Sequence, residues 1–263
     1  MKLNKLTASL IAASAMAFAS GAQADIITVA GVTWDTDSIF DFSSQSTLYE
    51  TIATEVGQTF SGYGQFSAVN SETNFCATCQ LTYEFGGYTL TTAGASFTAE
   101  GGWLSVYVQD TGAGDYTAFS SLTKATATDG QLWLSLVGSS AYFDSLGTVP
   151  VGTTLAGNVT VPNSTAASGT GAGYFDVTGG LAAAYLDTDS QPGGADFTYT
   201  SSFQPLPNGN TVVNGGITVA THFGTNEVLG TSQVAQVPEP ATLALLGLGL
   251  VGLGLARRNK KVA

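Results

Sequence analysis

Cys76 and Cys79 are the only cysteines in the 263-residue chain, and just two residues separate them. A redox Cys-x-x-Cys begins a helix whose terminus stabilises the thiolate, but here the strand-like residues 80–85 follow directly. The pair is expected to form a structural disulfide closing a tight loop, with modest stabilisation because so short a loop removes little chain entropy. A metal site would need two more ligands. Two acidic groups stand in turn-like sequence: Asp35 with Asp37 and Asp41, and Asp187 with Asp189 and Asp196. Calcium takes about six to eight oxygens, and carboxylates one residue apart in a turn supply several of them. Neither group has the full spacing of an EF-hand loop, so calcium is the one candidate cofactor, with turn formation and solubility as the competing role.

Catalytic chemistry has weaker support. His222 is the single histidine, and no Gly-x-Ser-x-Gly turn supplies a nucleophile for it to activate. It is expected as a surface or half-buried strand residue. Glu84 and Glu100 lie beside strands, and a jelly roll can set two acids across a groove for glycoside hydrolysis. Between residues 25 and 237 there is no arginine and one lysine, Lys124, so the usual clamps for phosphate or carboxylate substrates are missing. Trp34, Trp103 and Trp133 can stack on sugar rings if exposed, although core packing is the commoner fate of such side chains.

The elements that position these residues read as strands. Apolar residues alternate in 80–85, 103–109 and 131–137, and more weakly in 60–68, 197–203 and 211–219. Turn signals separate them, among them Gly101-Gly102, Asp129-Gly130 and Gly193-Gly194. The Gly86-Gly87 pair between two alternating runs is the best two-residue hairpin. Helical spacing is at most loose, around residues 42–54, and residues 162–173 read as a flexible loop. The expectation is an all-β fold, an antiparallel β-sandwich or jelly-roll-like domain.

The formal net charge is −12, and six of the seven bases lie at the two ends of the chain. Nucleic acid is excluded as a partner, because phosphate contacts need clustered Lys and Arg. Lys2 and Lys5, the small apolar run 6–20 and Ala22-Gln23-Ala24 have the order of a secretory signal peptide over residues 1–24, with Asp25 as the new N-terminus after signal peptidase. At the other end Val237-Pro238-Glu239-Pro240 precedes sixteen uncharged residues, 241–256, and then Arg257, Arg258, Lys260 and Lys261. A helix over 241–256 would be about 24 Å long, short of a hydrocarbon core of about 30 Å. Its glycines weaken it, and its basic tail, 257–263, stays cytoplasmic under the positive-inside rule. Hydropathy alone reads it as an ordinary single-span anchor.

Residues 238–263 resemble the PEP-CTERM sorting signal of Gram-negative bacteria: Val-Pro-Glu-Pro, a Leu/Gly-rich span and a terminal Arg-Arg-x-Lys-Lys occur in that order. The resemblance implies processing by exosortase near 238–240, transient anchoring in the inner membrane, and release to the cell surface or extracellular matrix. It also implies association with exopolysaccharide, biofilm or floc formation. The organisation expected is a signal peptide (1–24), an exported β-sandwich domain (25–229), a linker (230–237) and the sorting signal (238–263). The exported domain is expected to be non-enzymatic, a surface or matrix protein associated with exopolysaccharide. A carbohydrate-binding or ice-binding module and a polysaccharide-active hydrolase stay open as alternatives. A flat Thr-rich face or an exposed aromatic row would favour the binding module, and two carboxylates across a cleft the enzyme.

Overall fold

The structure, a computed structural model, describes residues 26–36, 40–110, 124–207, 210–214 and 217–233. The signal peptide with Asp25, the Asp37 side chain and the sorting signal lie outside the described residues. Among the described residues no helix is long and apolar enough to cross a membrane.

The strands are β1 (Ile26–Val29), β2 (Val32–Asp35), β3 (Phe42–Glu50), β4 (Thr59–Val69), β5 (Cys79–Thr92), β6 (Ser96–Asp110) and β7 (Gln131–Gly138). They continue as β8 (Thr153–Val159), β9 (Gly169–Gly179), β10 (Phe197–Pro205), β11 (Val212–Asn214), β12 (Ile217–Ala220) and β13 (His222–Gly230). The large sheet runs β10-β13-β3-β4-β5-β6-β7-β9, and β9 pairs again with β10, so it closes on itself as an antiparallel barrel of eight staves. One stave is made of two strands laid end to end. The first half of β6 pairs with β8 and the second half with β7, and β9 does the same from the other side. The changeover lies at Gly101 and Gly102, whose φ values of +74° and +89° only glycine takes without strain. The Thr154 hydroxyl donates to the Gly101 carbonyl at 2.7 Å and fastens β8 there.

Aromatic side chains pack across the strand ladder from glycines. Phe85 lies opposite Gly62, Tyr83 opposite Gly64, Phe97 opposite Gly157, Phe203 opposite Gly169, Tyr199 opposite Gly173 and Phe197 opposite Gly230. For Gly157 and Phe97 the two strands are β8 and β6. A Cβ added at any of these glycines would fall 2.5 to 2.7 Å from an atom of the facing ring. Each ring therefore occupies the volume of a missing side chain, which lets a narrow barrel hold this many aromatics.

One end is plugged by the β1–β2 hairpin. Trp34 is buried and meets Trp133, Phe42 and Tyr185 edge-on, with centroids 5.8, 5.9 and 6.2 Å away. The Trp133 indole donates to the Val29 carbonyl at 3.1 Å. The chain stays pinned at this end past β13: the Ser232 amide donates to Asp41 Oδ2 at 3.0 Å and the Gln233 amide to the Tyr185 carbonyl at 2.8 Å.

The all-β antiparallel class agrees with the sequence reading, but the sandwich does not: the β9–β10 pairing joins what would be two layers into one closed sheet. The Gly86-Gly87 hairpin is also corrected. β5 runs through it as a bulge, and Trp103 lies over Gly87, where a Cβ would sit 2.8 Å from its ring. Residues 42–50, read as loosely helical at most, form strand β3.

Candidate functional site

The plugged end gathers the acidic and cysteine motifs. Asp187, Asp189 and Asp196 come together in the β9–β10 connection, with a ligand oxygen from each within 4.8 Å of the others. Asp196 is buried and organises the loop: its carboxylate accepts from the amides of Val177 at 2.7 Å, Thr188 at 2.5 Å and Asp189 at 2.7 Å. Much of its lone-pair capacity is therefore committed, and Asp187 and Asp189, both exposed, are the members open to a cation. Burial pushes the Asp187 carboxyl upward, with the charges of Asp196 and Asp189 adding to it. In the other group the Asp41 carboxylate holds the Ser232 amide, and the carbonyls of Asp35 and Asp41 both accept from the Asn70 side chain, at 2.7 and 3.1 Å. Cys76, in the β4–β5 loop, is paired with Cys79, the first residue of β5, with Cα atoms 5.1 Å apart, and Cys79 packs against Gly31 of the hairpin.

Several residues proposed for chemistry serve structure instead. Trp34 and Trp133 are core, and Trp103 covers the β5 bulge. His222 is fully buried, not at the surface. Its Nε2–H donates to the Ala167 carbonyl at 3.1 Å, and Nδ1 accepts from the Thr221 hydroxyl at 2.7 Å. Burial lowers its pKa, partly opposed by the Ala167 carbonyl, which keeps this neutral tautomer. Glu84 pairs with Lys124 at 3.1 Å. It sits opposite Ser105, while Glu100 sits opposite Thr89. Five residues of strand, roughly 16 Å, thus separate the two acids, beyond the reach of a paired-carboxylate mechanism.

The outer wall carries a polar array that strand register assembles. Asn158, Thr170, Ser202, Thr225, Thr47 and Gln65 are successive cross-strand neighbours over β8, β9, β10, β13, β3 and β4. Thr200, Glu227 and Gln45 stand in the adjacent rank. The two ranks border a shallow depression of about 690 Å³. The Ser202 and Thr225 hydroxyls are 3.0 Å apart, which holds both side chains in one orientation.

The unplugged end contains a residue that the sequence reading missed. Glu50 closes the inward series Phe42, Ser44, Ser46, Leu48, Glu50 of β3 and is 6% exposed. Two cavities meet at it: an outer pocket of about 70 Å³ that reaches exposed Ala93 and Asn163, and an inner one of about 40 Å³ among Tyr88, Leu104, Phe175 and Tyr199. Among the described residues no side chain makes a hydrogen bond or ion pair to its carboxylate. Period-two alternation over residues 42–50 was the available signal, masked by the serines on the inner face.

Burial pushes the Glu50 carboxyl up to about 8. The folded state thus holds a proton more tightly than the unfolded chain, whose Glu titrates near its ordinary 4.5. This contribution to stability is complete below pH 4.5 and is lost as pH rises through about 8. Glu50→Gln removes it, so the parent's melting temperature should fall more between pH 5 and 9 than the variant's, and the variant should be the more stable at pH 9. Parallel pH profiles by circular dichroism would contradict the assignment.

Residues 236–260 match the family model of the PEP-CTERM protein-sorting motif, at the positions where the sequence resemblance lies. No curated protein and no solved structure matches the chain. The chain carries a PEP-CTERM sorting motif, which implies export, exosortase as the processing partner, and transient membrane anchoring before surface display.

Proposed function

We propose that this chain is a non-enzymatic cell-surface or extracellular-matrix protein whose barrel associates with exopolysaccharide through the Ser/Thr/Asn/Gln array on its outer wall. The observation that carries the reading is that array: hydroxyl and amide groups repeat across six strands at the inter-strand spacing of about 4.8 Å. Such a surface offers a polysaccharide many weak hydrogen bonds in parallel, without the clamps that catalysis on a charged substrate needs. Calcium belongs to the same reading. Asp187 and Asp189 project from the plugged end, and a bridging cation there would offset the repulsion between an acidic domain and acidic polysaccharide. A second reading, ice binding, draws on the threonines of the same face.

Two experiments test this. Thr200→Val with Thr225→Val removes two hydroxyls at nearly constant shape. Retention on immobilised exopolysaccharide should fall by about tenfold, since each lost hydrogen bond is worth about 0.5–1.5 kcal/mol, and Asp187→Asn with Asp189→Asn should remove any calcium-dependent part. Unchanged retention in both variants would defeat the reading, and ice-growth inhibition by a parent protein that ignores glycans would move it to ice. For the sorting step, Glu239→Ala should leave the protein membrane-bound with residues 257–261 still attached. Equal release of variant and parent would contradict exosortase processing.

A further inference from the structure

The unplugged end of the barrel has the parts of a small-molecule site. Glu50 is more than nine-tenths buried, has no side-chain partner among the described residues, and stands where the outer pocket meets the inner cavity. Phe60, Leu90, Phe97, Leu155 and Phe203 form the apolar side of the outer pocket, and Thr54, Asn163, Ser164 and Ser201 its polar side. A carboxylate in such surroundings is costly unless a cation or donor reaches it. Among the described residues none is hydrogen-bonded or ion-paired to it, although the Ser201 hydroxyl lines both cavities beside it. Lys124, the single base among the described residues, is engaged by Glu84 on the outer wall of the barrel.

The titratable groups facing Glu50 are committed elsewhere. Tyr83 on β5 donates to the Thr47 carbonyl at 2.7 Å and accepts from the Asn226 amide at 3.0 Å. Tyr199 on β10 is bonded to Tyr88 at 2.8 Å. His222, directly opposite Glu50 on β13, has both ring nitrogens engaged by Thr221 and Ala167. The His222 bond to Ala167 also holds down the loop that forms one lip of the pocket. The outer pocket, about 70 Å³, has roughly half the volume of an engineered apolar cavity of ~150 Å³ that takes benzene, which suits a short hydrocarbon chain that extends toward the rim and not a lipid tail.

We propose that this end of the barrel binds a small aliphatic amine, with its ammonium paired to the Glu50 carboxylate and its chain against the apolar wall. The inference is independent of the polysaccharide reading, which concerns the outer wall. Binding an ammonium draws Glu50 into its charged form, so the carboxyl proton leaves to solvent. The amine is already protonated at neutral pH, so the proton released comes from the protein.

The test is calorimetric titration of the purified protein with n-hexylamine at pH 7, in two buffers of different ionisation enthalpy, beside n-hexanol and hexanoate. The expected result is one amine bound per chain, with release of up to roughly one proton, weaker binding of hexanol and none of hexanoate. Glu50→Gln should weaken the amine by about tenfold or more and abolish proton release, while its circular dichroism stays that of the parent. Ala93→Trp at the exposed rim should block the pocket without touching the core. Hexylamine binding that is absent, equal in Glu50→Gln, indifferent to Ala93→Trp, or matched by hexanol overturns the proposal.

Discussion

Everything in this barrel depends on a steric exchange between rings and glycines. An inward aromatic on one strand needs the volume that a side chain on the neighbouring strand would fill, and Gly62, Gly64, Gly157, Gly169, Gly173 and Gly230 leave it free. The same glycines allow close strand approach: a Cβ on Gly64 would strike the Thr47 carbonyl, and one on Gly173 would come 2.4 Å from that of Thr154. Curvature and packing thus come from the same residues, and the sheet closes over a ring-filled interior instead of a second layer.

That filling is uneven along the barrel axis. Tryptophans and the β1–β2 hairpin complete it at one end, where the paired cysteines and the acidic loop also lie. At the other end two small cavities remain among the rings, with Glu50 between them. A buried acid without a partner is unfavourable to folding at neutral pH. Its position at the floor of the outer pocket makes it a group that an incoming ligand can reach.

Legibility in the sequence followed how cleanly each strand alternates. Residues 80–85 alternate apolar with polar side chains, and 103–109 and 131–137 keep a period of two with Trp103, Tyr107 and Trp133 in the other rank. All three lie within β5, β6 and β7, but an irregular register at the start of β7 leaves Leu132 exposed and Trp133 buried. Residues 42–50 put Ser44, Ser46 and Glu50 on the inner face, so polarity no longer reports the side of the sheet, and both the strand and its buried acid were lost to view. Gly86-Gly87 looked like a turn because a bulge and a hairpin ask for the same residue; the difference lies in Trp103, contributed by the next strand. The meeting of Asp187, Asp189 and Asp196 was visible in their spacing, whereas the amides that occupy Asp196 were not. Closure rests on the β9–β10 pairing and on one stave shared by β7 and β8, and local pattern carries neither.

The most direct test of the ring-and-glycine account is the stability of Gly64→Ala, measured by denaturant unfolding. Gly64 has no left-handed backbone requirement, so backbone entropy alone would make alanine stabilising by about 0.4–1 kcal/mol. If Tyr83 occupies the space of the missing side chain, the added methyl must displace its ring and the hydroxyl bonds to Thr47 and Asn226. The predicted result is a loss of about 2 kcal/mol or more. Stability equal to or above that of the parent would contradict the account.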